Sequence, residues 1–259
     1  MKIDLCASVP RRVVIGVAVA CVMLVASPTH AQRGARGGPP QAARESAAID
    51  LTGYWVSVIT EDWKFRMVTP KKGVYDTLPL NAEGRKVGDS WDPARDEAAG
   101  EQCRAYSAAN IMRMPTRLHI TWEDANTLKI DTDAGTQTRL FRFGAAGSTA
   151  PAADPSWQGR SVATWQYAPG RGAPRRGNLK VITTNLRPGY VRRNGAPHSK
   201  DAVVTEYFDV NALPNGDAWL TVTTRVEDPV YLTRPYLTSS DFKKLPSAAG
   251  WNPSPCAVR

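Results

Sequence analysis

Residues 202–226 read AVVTEYFDVNALPNGDAWLTVTTRV, and this stretch decides the fold class. Apolar and polar residues alternate on both sides of Asn215-Gly216, and a period of two is typical of half-buried strands. An Asn-Gly pair favours a tight turn between two antiparallel strands. The stretch therefore predicts a β-hairpin with one face toward a core.

The same alternation recurs along most of the chain. The turn sequences 124–126 and 133–135 would close two further hairpins. The other predicted strands are 54–59, 63–67, 118–122, 127–131, 136–143, 161–167, 179–186 and 236–242. About ten antiparallel strands in meander order must close as a barrel or a barrel-like sandwich, because open edges invite pairing with other chains. We therefore predict an all-β fold with minor α content.

Helix is predicted at only two places. Residues 80–91 form the first, with Asn81 as its N-cap. It should end before Asp92-Pro93, because proline disfavours the helical conformation in the residue that precedes it. A second short helix is predicted around 103–109.

The N-terminal region has the layout of a cleavable export signal. Arg11 and Arg12 precede an apolar run at 13–26, and the small-residue segment 27–31 follows. The run is shorter than the roughly 20 residues that a membrane-spanning helix needs. We predict a signal peptide at 1–31, a periplasmic or secreted location by general or twin-arginine export, and no transmembrane segment after cleavage.

The rest of the chain is predicted to form one domain behind a short leader. Residues 32–47 are rich in Gly, Pro, Ala and Arg and contain no large apolar side chain, which predicts a disordered leader. A single β-rich domain is predicted at 48–259. The low-complexity stretches 144–155 and 168–178 are predicted to be surface loops of that domain.

The chain is basic, with a net charge of +9. Cleavage after residue 31 would leave 30 basic and 23 acidic residues, a net charge of +7. The sequence shows no basic stripe interleaved with aromatic residues, so we predict no nucleic-acid partner. The excess charge is compatible with an anionic ligand or an anionic envelope surface.

Cysteine and histidine are scarce beyond the predicted signal. Cys103 and Cys256 are the two cysteines that remain, and an oxidising compartment predicts a disulfide between them rather than a metal site or a reactive thiol. His119 and His198 are the remaining histidines, so a three-histidine metal site is excluded. We predict no metal and no cofactor.

Glu206 and His198 are the candidate catalytic residues. Glu206 alternates with Val204 and Phe208, so its carboxylate could point into an apolar interior and act as a general acid or base there. The alternatives are that Glu206 pairs with a buried arginine, or that the opposite strand face is the inner one. His198 lies in the loop sequence 194–199, where binding residues concentrate, although a solvated histidine is the simpler interpretation.

Five further residues are candidates for ligand binding. Trp157 flanks a loop and could form the rim of a pocket. Arg113, Arg139 and Asn185 could line a hollow barrel near Glu206. Tyr207, beside Glu206 in the sequence, completes the set.

Two resemblances add to these predictions. Leu51-Thr52-Gly53-Tyr54-Trp55 resembles the Gly-x-Trp start of lipocalin-like (calycin) barrels, which implies a closed barrel that holds a small ligand in its mouth. The chain also resembles a group of uncharacterised exported proteins of environmental bacteria. That resemblance implies export, supplies no catalytic residue, and rests on segments 155–165, 194–199, 204–208 and 226–235.

Three functions follow from these observations. The first is a periplasmic or secreted binding protein of lipocalin-like type, for a small, largely apolar molecule that could also be anionic. The second is a cofactor-independent hydratase, isomerase or lyase that uses Glu206 and His198. The third is a structural, envelope-associated protein with a filled core.

Overall fold

The structure is a computed structural model, and it describes residues 41–144, 154–168 and 176–258. The predicted signal peptide, most of the predicted leader and parts of the two predicted loops lie outside these residues. Among the described residues, no helix has the length and apolar character to span a membrane.

In the described part of the chain, nine strands close into a barrel and two more form a separate hairpin. Around the barrel the strand order is β1-β11-β10-β9-β6-β5-β4-β3-β2, and β7 pairs with β8 outside it. The strands are β1 (Gly53–Val58), β2 (Arg117–Trp122), β3 (Thr127–Thr132), β4 (Thr138–Phe143), β5 (Arg160–Tyr167), β6 (Gly177–Thr184), β7 (Gly189–Arg192), β8 (Ala196–His198), β9 (Val203–Ala212), β10 (Ala218–Glu227) and β11 (Tyr236–Leu245). The predicted β fold and its closure as a barrel are confirmed.

The barrel is not wholly antiparallel, which corrects the predicted meander. Strands β4 and β5 run parallel, with Phe141 opposite Ser161 and Phe143 opposite Ala163. A closed ring with an odd number of strands cannot alternate direction all the way round, so at least one neighbouring pair must be parallel. The long 144–159 connection permits this pairing, because parallel neighbours need a crossover that returns the chain to the same end.

Side chains fill the interior as the period of two predicts. Trp55, Phe141, Phe208 and Phe242 come from four different strands, and each is fully buried. Trp55 also donates from its indole nitrogen to the Leu51 carbonyl at 2.9 Å, which fixes the start of β1 where the barrel closes. The predicted turn at Asn215-Gly216 joins β9 to β10, with Gly216 in the left-handed region at φ +85°.

The strand predicted at 63–67 is wrong. Residues Trp63–Arg66 form a short helix, α1, that follows Asp62 in the left-handed conformation. Phe65 and Arg66 are both buried, whereas Trp63 and Met67 are exposed. The sequence alternates as a strand would, but in this helical turn Trp63 and Met67 lie on one side and Phe65 lies on the other.

The two helices around Trp91 position the candidate site. Helix α2 (Ala82–Asp89) has the predicted N-cap, since Asn81 accepts from the Gly84 amide at 2.8 Å. Helix α2 ends at Asp89, before the Asp92-Pro93 pair as predicted, and that pair begins α3 (Pro93–Ala98), with Asp92 as N-cap. Proline is well suited to the first helical position because it lacks the amide that would be unpaired there.

The remaining helices are short 3₁₀ helices. The second predicted helix is one of these, at Gln102–Tyr106, and another spans Ile111–Arg113. Cys103 and Cys256 form the predicted disulfide, with a Cα–Cα distance of 5.1 Å. The bridge joins the C-terminal segment to the first 3₁₀ helix.

The last residues of the predicted leader, 41–47, pack against the barrel. Trp165 donates from its indole nitrogen to the Ala43 carbonyl at 2.8 Å, and Tyr167 donates to the Ser46 carbonyl at 2.8 Å. Residues 41–47 therefore lie across β5 and are part of the described unit. Their Ala-rich composition hid this role, because the contacts use backbone carbonyls.

Candidate functional site

Glu206 and Arg139 meet inside the barrel, on β9 and β4. Arg139 donates from Nη2 to Glu206 Oε2 at 2.6 Å and from Nη1 to Oε1 at 2.8 Å, and both side chains are fully buried. Arg139 Nη2 also contacts the Thr183 hydroxyl at 3.3 Å. Of the alternatives raised for Glu206, the structure shows the buried arginine partner.

His198 lies in the β7–β8 hairpin and is fully buried. Its Nδ1 is 3.1 Å from the Ser199 carbonyl oxygen, which can only accept, so Nδ1 carries the proton. Its Nε2 then accepts from the Ser107 hydroxyl at 2.9 Å. Burial lowers the pKa of His198, so the ring is neutral and rigidly held. The predicted loop position is thus a buried strand position.

The predicted ligand-binding residues do not share one pocket. Arg113 lies on the second 3₁₀ helix, where it pairs with Asp62 at 3.1 Å. Tyr207 is on the outer face of β9, with the Lys180 ammonium 5.9 Å from its ring centre. Trp157 and Asn185 flank the isolated bridge between Ser156 and Leu186. Arg139 and Glu206 therefore bond to each other, Trp157 and Asn185 lie at one bridge, and Arg113 and Tyr207 lie elsewhere.

A cavity of about 610 Å³ lies beside Trp91, outside the barrel. The segment 69–72 forms one wall, and the turn from α2 to α3 forms the other. Ser90, Trp91, Asp92 and Arg95 also line an adjoining cavity of about 160 Å³, which reaches Tyr190 and His198 in the hairpin. The combined space is of the size that small-molecule sites have.

Trp91 is fixed from two sides. Lys72 Nζ donates to its carbonyl at 2.8 Å, and its indole nitrogen donates to Asp96 Oδ2 at 3.2 Å. Gly195, between β7 and β8, is left-handed at φ +82°, and a Cβ there would lie 2.2 Å from the Trp91 Cβ. The helical turn and the hairpin are therefore in close contact at this residue.

Asp96 is the centre of a buried hydrogen-bond network between the helices and the hairpin. Its Oδ2 accepts from the Tyr190 hydroxyl at 2.7 Å, and its Oδ1 accepts from Arg104 Nη1 at 2.9 Å. Burial, together with this bond to Asp96, raises the pKa of Tyr190. The Arg104 guanidinium lies 5.0 Å from the Tyr190 ring centre. These contacts give the smaller cavity a rigid polar wall.

The acidic groups of both cavities are already bonded within the protein. Asp89 accepts from the Tyr75 hydroxyl at 3.0 Å, and burial, then this bond, raises the pKa of Tyr75 to about 12. Asp92 caps α3 by accepting from the Ala94 amide at 3.0 Å. Asp96 is engaged as described above. Asp96 is therefore neutralised by Arg104, whereas Asp89 and Asp92 keep their negative charge at the exposed edge of the larger cavity.

Two basic side chains of the larger cavity are not bonded to any other described residue. Lys71 and Arg95 line it and are exposed, and within the described part of the chain neither side chain has an ion-pair or hydrogen-bond partner. Trp91, Pro70 and Pro93 supply apolar surface between them. The cavity therefore combines free positive charge with a flat apolar wall, which suits a small anionic molecule.

A separate cavity, of about 520 Å³, lies at the barrel end covered by 41–47. Phe143, Trp165 and Tyr167 are among its lining residues. This is the place where a lipocalin-like barrel would be expected to hold an apolar ligand. The described residues show no cluster of three or more His, Cys, Asp or Glu side chains that could hold a metal ion.

Sequence reasoning missed the residues around Trp91. Asp92-Pro93 was interpreted only as the end of a helix, although an N-cap followed by proline is also a helix start. That signal would have placed Trp91 between two helices. The contribution of Tyr190 and Arg104 could not be foreseen, because β7–β8 interrupts the barrel order and its contacts are long-range.

Comparison with known proteins gives no match. No protein-family model matches the chain, and neither a curated protein nor a solved structure is significantly similar to it.

Proposed function

We propose that the protein is an exported, lipocalin-like binding protein that holds a small anionic molecule in the cavity beside Trp91. The observation that carries the proposal is the charge state of this cavity. Its carboxylates are bonded to protein donors, whereas Lys71 and Arg95 are free. Lys71, Lys72 and Arg95 outnumber Asp89 and Asp92 in the lining, which gives a net charge of 3 − 2 = +1, and an anion could bind Lys71 and Arg95 without displacing an internal contact.

The closed barrel supports the lipocalin-like part of the proposal, but the site lies beside the barrel rather than inside it. The interior is occupied by Trp55, Phe141, Phe208, Phe242 and the Arg139–Glu206 pair. The disulfide supports export, because such bonds persist in oxidising compartments.

The enzymatic alternative receives less support from the geometry. Acid–base catalysis by Glu206 and His198 would need both side chains at one reacting group. Glu206 instead bonds to Arg139, and His198 bonds to Ser107 and Ser199. Glu206 and His198 each form their hydrogen bonds with other residues of the protein.

Native mass spectrometry of the purified protein, followed by identification of released small molecules, tests the proposal. We expect an acidic molecule to remain with the wild type and to be lost from the Lys71→Gln/Arg95→Gln double variant. Lys200→Gln is the matched control, since Lys200 is exposed and pairs with Asp201 away from the cavity. Retention of a neutral molecule by all three proteins, with loss in Trp165→Ala, would instead place the ligand at the barrel end.

A further inference from the structure

Three large apolar side chains are displayed together on the surface next to α1. Trp63 is 64% exposed, Met67 55% and Val68 62%, and they are among the most exposed large apolar residues of the described chain. They fall within six consecutive residues. We call these three residues the Trp63 patch.

The segment that carries the patch is firmly held. Asp62 pairs with Arg113, Glu61 pairs with Arg66, and Arg66 Nε donates to the Arg113 carbonyl at 2.9 Å. Arg193 Nη2 adds a bond to the Arg66 carbonyl at 2.8 Å. These contacts fix the backbone on both sides of Trp63.

The inner face of the segment is occupied by other side chains. Phe65 is buried, and the Arg192 guanidinium lies 4.3 Å from its ring centre. Because Phe65 and Arg66 take the inner positions of this short helix, Trp63 and Met67 are directed outward. Trp63 and Met67 therefore cannot become buried unless Phe65 and Arg66 leave their buried positions.

The charge beside the patch identifies a suitable partner. Lys64 and Lys71 are exposed, and neither has an ion-pair partner in the described part of the chain. The two nearby carboxylates, Glu61 and Asp62, are neutralised by Arg66 and Arg113. The free charge on the segment 61–71 is therefore positive.

We propose that the Trp63 patch docks the protein on an anionic bilayer surface. Tryptophan prefers the membrane–water interface, and lysines beside an apolar surface are attracted to anionic lipid headgroups. Trp63, Met67 and Val68 enter the headgroup region while Lys64 and Lys71 contact lipid phosphates. Docking in this way is peripheral, with the barrel remaining outside the bilayer.

This inference does not rest on the proposed ligand site. The Trp63 patch shares no residue with the cavity, and Lys71, which lines the cavity, is left unchanged in the variants below. Failure of one proposal therefore leaves the other to be judged by its own test.

Cosedimentation with lipid vesicles tests the docking. The chain starting at Gln32 is used, because it keeps every described residue and omits the apolar run at 13–26, which would bind lipid by itself. Vesicles of phosphatidylcholine are compared with vesicles of phosphatidylcholine and phosphatidylglycerol in equal parts. The variants are Trp63→Ser, Met67→Ser, Lys64→Gln and, as a matched control, Leu237→Ser on β11, which is also 64% exposed.

We expect binding to the mixed vesicles and little to phosphatidylcholine alone. Trp63→Ser should weaken binding about tenfold or more, since it removes a large apolar side chain from the interface. Lys64→Gln should weaken it about fivefold, and Leu237→Ser should leave it unchanged. Raising the salt from about 0.1 M to about 1 M should also weaken it, because the Debye length falls from about 10 Å to about 3 Å.

Two results would overturn the docking proposal. One is the absence of binding to the mixed vesicles by a wild-type protein whose circular dichroism shows the folded barrel. The other is equal binding by Trp63→Ser and Leu237→Ser. Quenching by brominated lipids is a second readout: it should be strong in the wild type and largely lost in Trp63→Phe, and equal quenching in both proteins would contradict the proposal.

Discussion

Arg139 and Glu206 form a two-bond ion pair across the barrel interior, at 2.6 and 2.8 Å, with neither side chain exposed to solvent. The pair joins β4 to β9, which are not neighbours in the sheet. Because removal of either partner leaves a charge without compensation in an apolar core, the pair makes the barrel sensitive to substitution here.

Glu206→Gln should lower the free energy of unfolding by about 3–5 kcal/mol. Urea denaturation measures this. Asp201→Asn, which breaks the exposed pair with Lys200, should change stability by only about 0–1 kcal/mol. The combined Arg139→Met/Glu206→Leu variant should recover most of the loss, because no unpaired charge remains. A single Glu206→Gln as stable as the wild type would refute a structural role for the pair.

His198 predicts how stability changes with pH. Burial lowers its pKa in the folded state below the ordinary value of 6.5, so the unfolded chain binds more protons at mildly acidic pH. Stability should therefore be fully present above about pH 6.5 and should fall as the pH drops through that value. Thermal unfolding at a series of pH values should show a shallower decline for His198→Gln. Identical slopes for His198→Gln and the wild type would be inconsistent with this assignment.

The disulfide should contribute substantially to stability, because it closes a loop with a sequence separation of 153. The Cys103→Ser/Cys256→Ser double variant should lose roughly 4 kcal/mol of unfolding free energy. Adding a reductant should lower the urea midpoint of the wild type toward that of the variant and should not affect the variant. An unchanged wild type under reducing conditions would show that the bridge does not constrain the unfolded chain.

Gly195→Ala should disturb the contact between the hairpin and Trp91. Gly195 and Gly216 have similar conformations, at φ +82° and +85°, but a Cβ at Gly216 would meet open space. Gly216→Ala therefore measures the backbone strain alone. Gly195→Ala should cost about 1–3 kcal/mol more, because its methyl group clashes with Trp91. Equal losses in the two variants would mean that the hairpin does not pack tightly on Trp91.

The sequence predicted the barrel well because its strands repeat a simple physical pattern. On β10, Leu220, Val222, Thr224 and Val226 all face inward, as the alternation requires. The period of two gives a wrong prediction at 63–67, because one turn of helix has the same order of apolar and polar residues as a short strand. The alternation also carries no information on strand direction, whereas the parallel β4–β5 pair follows from the odd number of strands in the barrel.

The candidate site was much harder to predict than the fold. The sequence predicts that Arg139 and Glu206 lie close together inside the barrel, and the structure shows that they bind each other. The sequence does not predict the arrangement of Trp91, Tyr190 and Asp96, because Tyr190 and Gly195 meet Asp96 and Trp91 across about a hundred residues of chain. Local patterns in one sequence do not encode such contacts.

Isothermal titration with benzoate and benzamide tests the central claim most directly, because the two molecules share a flat ring and differ in charge. We predict that benzoate binds the wild type more tightly than benzamide, and that Lys71→Gln/Arg95→Gln abolishes this difference while Trp165→Ala preserves it. Equal binding of the two molecules, or a preference for benzoate that is lost only in Trp165→Ala, would contradict an anion site beside Trp91.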